Sequence, residues 1–116
     1  IEAGRIMKRL GLEPGGGIPA LVTCLQHRLY AHLNEQEVIE QTPERCVFRM
    51  KKCRVQDARK RKGLSDFPCK EVGIVEFANF AAAVDPRLVC RCVGCPPDQH
   101  PDGWYCAWEF TLEDQP

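Results

Sequence analysis

The chain has 116 residues, with 16 basic and 16 acidic side chains and a formal charge of zero. That length suits one domain, and the charge balance supplies no global drive toward nucleic acid or an anionic membrane. No apolar run approaches the roughly 20 residues of a membrane-spanning helix, and a hydrophobic fraction of 44% is that of an ordinary globular domain.

The opening Ile1-Glu2-Ala3-Gly4-Arg5 lacks the apolar core of a secretory leader. Because the chain starts on Ile rather than Met, an N-terminal part of the full protein is expected to precede it, with residues 1–116 as a single α+β domain. Residues 1–11 read as a helix end, with Ile6 and Leu10 four apart and Gly11 as its C-terminal cap. Glu13 to Gly17 is a loop. No Lys-Ser/Thr follows its glycines, so a flexible connector is expected rather than a phosphate cradle. A second helix is predicted from about Ile18 to Leu33, with Pro19 in its first turn and Ile18, Leu21, Val22, Leu25, Leu29 and Leu33 on one face. Cys24 lies near that face as a small apolar residue. His27 and His32, five apart, do not share a helix face well enough to bind one metal.

Glu37–Glu40 is a short strand, Thr42-Pro43-Glu44 a turn, and Arg45–Cys53 a second strand that places Cys46, Phe48 and Met50 on one face. The two strands are close enough to form a hairpin. Residues 54–63 favour a polar helix ended by Gly63. The basic cluster Arg59-Lys60-Arg61-Lys62 has no interleaved aromatic, so it reads as a solvated face. Pro68 opens a third main helix running to Val84, with Ile74, Phe77, Ala78 and Ala81 on one face and Gly73, Phe80 and Val84 widening the apolar arc. Asp85-Pro86 ends it. Strands follow at Arg87–Val93 and Tyr105–Leu112. The fold expected is an antiparallel sheet of about four strands with helices on one face, stapled by zinc.

Eight cysteines in so short a chain mean either a secreted disulfide scaffold or a reduced protein with a metal site. The spacing favours the second and hence a cytoplasmic location. Cys92 and Cys95 form a C-x-x-C with Gly94 inside and Pro96-Pro97 after it, the build of a metal knuckle. Cys106 returns after a turn-rich loop. Cys69 stands at a helix start, where the helix dipole favours the thiolate a metal requires. The ligand set expected is Cys69, Cys92, Cys95 and Cys106 on one zinc, with His100 or Cys90 as substitutes. An iron–sulfur cluster is the alternative, since four thiolates hold one as well. Four thiolates leave no open position for water, so the metal is expected to be structural. His100 and Glu109, the nearest candidate bases, sit in no zinc-enzyme motif.

The stretches Cys53-Arg-Val-Gln56, Gly63 to Lys70, Asp85-Pro-Arg87, Cys92 to Asp98 and Trp104 to Phe110 resemble an uncharacterised cysteine-rich family of bacterial and archaeal cytosolic proteins. The layout is similar to the 4-vinyl-reductase-type small-molecule-binding domain, and more distantly to aminothiazoline-carboxylate-hydrolase-like proteins. That resemblance implies a zinc held by Cys69, Cys95 and Cys106, with Cys92 where the group can have an acidic ligand.

Three functions are in view. The first is a zinc-stabilised domain that binds a hydrophobic small molecule or acts as a sensor, with Phe48, Phe77, Phe80 and Trp108 lining the pocket. The second is a cysteine-dependent hydrolase or thiol redox protein using Cys53, whose neighbours Lys52 and Arg54 would lower its pKa. The third is an interaction domain that pairs as a homodimer. No nucleic-acid or membrane partner is expected.

Overall fold

The structure is a computed structural model that describes residues 2–28, 31, 34–96, 98–101 and 103–113. Helix α1 (Glu2–Leu10) buries Ala3, Ile6 and Met7. Gly11 ends it at φ 71, where a residue without Cβ is unstrained. Helix α2 (Gly17–Gln26) buries Ile18, Leu21, Val22, Cys24 and Leu25. It stops well short of the predicted Leu33. His27 caps it, donating its N–H to Cys24 O. Arg28 then turns inward to bond Glu2 and Glu76, with its guanidinium over the Phe77 and Phe80 rings. The predicted extension at Leu29, His32 and Leu33 lies outside the described residues.

The glycine loop before α2 is pinned rather than free. Gly17 N–H donates to Asp85 Oδ2 at 2.9 Å, and Arg87 Nη2 donates to Gly15 O at 3.1 Å. Asp85 is fully buried. Its carboxylate takes the position at the N-terminus of α2 that an anion would occupy.

Four strands form one antiparallel sheet in the order β1-β2-β4-β3. They are β1 (Glu35–Ile39), β2 (Arg45–Lys52), β3 (Leu88–Gly94) and β4 (Cys106–Leu112). Alternation works as expected on β2, where Cys46, Phe48 and Met50 are buried. Phe48 pairs with Trp108 and Cys46 with Phe110 across to β4. The other face carries ion pairs, including Arg45–Glu109 at 2.7 Å and Arg91–Glu109 at 3.7 Å.

Helices α1, α2 and α4 (Lys70–Val84) pack on the apolar face, as expected. Helix α3 (Arg54–Arg61) buries only Gln56, which suits its charged sequence. On α4 the core stripe is Gly73, Phe77, Phe80, Ala81 and Val84. Ile74, expected beside Phe77 in the core, is 44% exposed. The helix is rolled so that its smallest residue, Gly73, meets the largest, Trp108, and this turns Ile74 outward.

Candidate metal centre

The cysteines are gathered by backbone hydrogen bonds around the knuckle. Asp98 N–H donates to Cys95 O at 2.9 Å and closes the turn. Lys70 N–H, in the first turn of α4, donates to Pro96 O at 3.0 Å. The Lys70 ammonium pairs with Asp98 at 2.9 Å. These bonds latch the turn onto the start of α4, where Cys69 is the N-terminal cap residue. Cys106 opens β4 opposite Met50 of β2, and Tyr105 N–H donates to Met50 O at 2.8 Å.

All eight cysteines are free thiols. Cys69 Sγ lies 3.4 Å from Cys95 Sγ. Hydrogen bonding to Cys106 and Cys69, with burial, pushes the Cys95 thiol far up. The Cys95 bond in turn lowers Cys69 to about 6 against the effect of burial, with help from the Gln56 amide. Cys106 is lowered as well, first by Cys95. One raised thiol thus stands between two lowered ones. Among the described residues, no three or more His, Cys, Asp or Glu side chains are spaced as a formed metal-binding group. Cys69 and Cys95 are in sulfur contact, and Cys106 lies close enough to Cys95 to shift its thiol. Cys92 reaches the trio only through charge: burial raises its thiol, and Lys70 lowers it.

Two N–H groups face this sulfur corner. The Gln56 amide is clamped by Phe67, accepting from its N–H at 2.8 Å and donating to its carbonyl at 2.9 Å. Its Nε2 also points at Cys69 Sγ, 3.7 Å away. The Trp108 indole Nε1 is buried with no hydrogen-bond partner. It lies two residues along β4 from Cys106, close enough to favour the Cys106 thiolate without bonding to it. The sequence offered Gln56 only as the end of the Cys53-Arg-Val-Gln56 stretch, with no role of its own. Its one signal was an amide among charged residues on a helix that buries nothing else.

The substitute ligands go elsewhere. His100 Nε2 is 2.7 Å from Asp66 Oδ2, and Nδ1 is 2.8 Å from Pro101 O. Both ring nitrogens face oxygen acceptors, which favours the doubly protonated ring, a form that does not ligate a metal. Burial works against that charge, but the Pro101 and Asp66 bonds outweigh it and hold the pKa above its usual value. Burial pushes the Cys90 thiol up to about 12.

Cys53, the candidate nucleophile, sits before α3. Burial pushes its thiol up, against the lowering expected from Lys52 and Arg54. The aromatic quartet is packed rather than open. Phe77 stacks on Trp108 at 4.8 Å and lies 5.7 Å from Phe48, and all four rings, with Phe80, are buried. A surface cleft of about 300 Å³ is lined by Asn34, Glu35, Lys52, Arg54, Asp57 and Arg61. That lining is charged, unlike the mostly apolar walls of small-molecule pockets.

Fold and site together define a small α+β domain with a thiol-rich corner between α4 and the sheet. The chain belongs to DUF6125, a family of unknown function whose model matches residues 1–112. No curated protein and no solved structure matches the chain. The family match carries no link to 4-vinyl-reductase-type or aminothiazoline-carboxylate-hydrolase-like proteins.

Proposed function

We propose that this is a cytoplasmic metal-binding domain in which Cys69, Cys95 and Cys106, with Cys92 as fourth thiolate, hold one structural zinc. The observation that carries the reading is the approach of Cys69 and Cys95 to 3.4 Å, with Cys106 close enough to Cys95 to shift its thiol. At a Zn–S bond of about 2.3 Å, the edge of a tetrahedron is about 3.8 Å, so the sulfurs need to part only slightly to admit the ion. The donor set fits the ion chemically. The Cys69 thiol is lowered to about 6 and Cys106 is lowered too, and a bound metal displaces the protons that remain. The orphaned Trp108 N–H and the clamped Gln56 amide are donors suited to metal-bound sulfur, as supporting groups around such sites are. The ion would join the start of α4 to β3 and β4. Packing of Phe48, Phe77 and Trp108 weighs against the small-molecule and sensor readings, with Phe80 alone of the quartet lining a cleft of about 210 Å³ beside Glu2, Arg28 and Glu76, and the raised Cys53 thiol weighs against the hydrolase or redox reading.

Structural zinc contributes about 10–16 kcal/mol of binding free energy in small peptides, against a whole-domain stability of about 5–15 kcal/mol. Metal analysis of the purified chain is expected to give one zinc per chain. Cys95→Ser and Cys106→Ser are expected to lose it and to unfold or aggregate, whereas Cys24→Ala costs no more than an ordinary core change. Iron with visible absorption would replace zinc by a cluster on the same sulfurs. A metal-free protein in which Cys106→Ser melts with the parent would remove the site.

A further inference from the structure

Helix α3 buries only Gln56, so apolar packing does not explain where it lies. Its start has the spacing of a capping box, in which a cap residue and the residue three places on face each other across the first turn. Here those residues are Cys53 and Gln56, and neither is used for capping. Cys53 makes no side-chain cap bond. Asn34 does that work from outside the helix, accepting the Arg54 N–H on Oδ1 at 2.7 Å. Gln56 is spent on the Phe67 backbone and on Cys69, with its Nε2 3.7 Å from Cys69 Sγ. Side chains three apart at a helix start lie about 5–6 Å from each other at Cβ. The turn that brings the Gln56 amide to Cys69 therefore brings the Cys53 thiol to the same corner.

The sheet leads to the same place. Met50, three residues before Cys53, pairs with Cys106 across β2 and β4. Cys53 is half-buried against the core, as Cys69, Cys92 and Cys106 are. Charge agrees with this placement. Burial raises the Cys53 thiol, the Gln56 and Val55 N–H groups work the other way, and Cys106 and Cys69 are close enough to raise it further. Cys92 feels the same two sulfurs from β3. With strand order β1-β2-β4-β3, Cys106 stands on the middle strand, Cys53 follows the strand on one side of it, and Cys92 lies on the strand on the other. Two thiols thus flank the group formed by Cys69, Cys95 and Cys106, and a tetrahedral ion has one position left.

We propose that Cys53 is a further ligand of this corner, taking the fourth position on the ion in exchange with Cys92. The inference rests on the metal reading above. In the exchange Cys53 gives up its proton and Cys92 takes one from solvent, so the ion keeps four thiolates and the same charge. The two ligands differ in what they tie down. Cys92 stands on the strand that runs into Cys95 and adds no new element to the site. Cys53 joins the end of β2 and the start of α3, which has little else to hold it.

Cobalt(II) is the probe, because its sulfur-to-metal absorption grows with the number of bound thiolates. Cys92→Ser is expected to bind cobalt with the parent's absorption, Cys53 having taken the fourth position. Cys53→Ser/Cys92→Ser is expected to lose intensity or the ion. A Cys92→Ser protein that already loses intensity overturns the proposal, as does a double variant with the parent's spectrum. If the variants fail to fold, the parent labelled with ¹³C-cysteine decides. Added zinc is expected to shift the Cβ signals of Cys53 and Cys92 together with those of Cys69, Cys95 and Cys106, leaving Cys24, buried on α2, unmoved. A Cys53 signal indifferent to zinc while Cys69, Cys95 and Cys106 respond overturns this proposal and leaves the metal reading standing. A parent that binds neither metal overturns both.

Discussion

Gly73 sets how closely α4 approaches the sheet. A Cβ built there would lie 2.7 and 2.9 Å from two carbons of the Trp108 ring. That ring has little room to retreat, because Phe77 stacks on it at 4.8 Å. Replacing glycine by alanine inside a helix gains about 1 kcal/mol of propensity, while overpacking a filled core costs about 1–3 kcal/mol. Gly73→Ala is expected to be destabilising by up to about 2 kcal/mol net in denaturant unfolding, and to shift the Trp108 fluorescence. A variant more stable than the parent by about 1 kcal/mol would show that α4 lifts from the sheet at no cost. Trp108 thus belongs both to the core and to the sulfur corner, and its indole N–H lies on the side of Cys106.

Between elements, the loop from Cys95 to Cys106 does more than close the knuckle. It reaches α3 and the connector after it at two points: His100 to Asp66 at 2.7 Å, and Tyr105 Oη to Asp57 Oδ1 at 2.7 Å. The imidazole ring also lies 5.1 Å from the Tyr105 ring. This pairing ties a short polar helix with almost no core of its own to the rest of the domain. The His100 pKa is raised in the folded state, so its sign is that of a group charged more readily when folded. Its contribution is complete below the unfolded value of about 6.5 and is lost as pH rises through the folded value. His100→Gln is therefore expected to melt below the parent in mild acid and to converge on it as pH rises through neutrality. A gap that widened with pH would mean the neutral ring is the stabilising form. Asp85 has the opposite sign. Arg87 holds its carboxyl low despite burial, so its contribution is present above the ordinary carboxylate range and lost only in strong acid.

For the whole molecule, one modest core must hold a four-stranded sheet and the helices that cover it. The proposed ion would add a tie between α4 and the sheet that apolar contact alone does not supply. A ligand present at a thousand times its dissociation constant stabilises the folded state by about 4 kcal/mol. For a domain of this size, each kcal/mol moves the melting temperature by several degrees. Removing the metal with a strong chelator is expected to lower the melting temperature by more than about 10 °C, and adding zinc back to restore it. An unchanged melting curve after verified metal loss would leave the sulfur trio as ordinary buried thiols.

Much of the architecture was legible because strand and helix periodicities are local. Cys46, Phe48 and Met50 alternate along β2 whatever they pack against, and the C-x-x-C with its prolines announces a tight turn by composition alone. The α+β class, the four antiparallel strands and the single covered face followed from those patterns. What the sequence left open were matters of which distant side chain meets which. His100 was offered as a ligand because it lies in the right loop, but it is paired with Asp66, 34 positions away. Cys53 read as an activated thiol beside basic neighbours, yet burial governs its proton. Phe48, Phe77, Phe80 and Trp108 suggested a pocket, but a cavity is the space that packing leaves, and packing is settled only when α4 closes on the sheet through Gly73. The end of α2 was missed for a similar reason: Arg28 turns inward to carboxylates on two other helices. Local periodicity decides which elements form. Burial and long-range charge pairing decide what their side chains do, and those exist only once the elements have met.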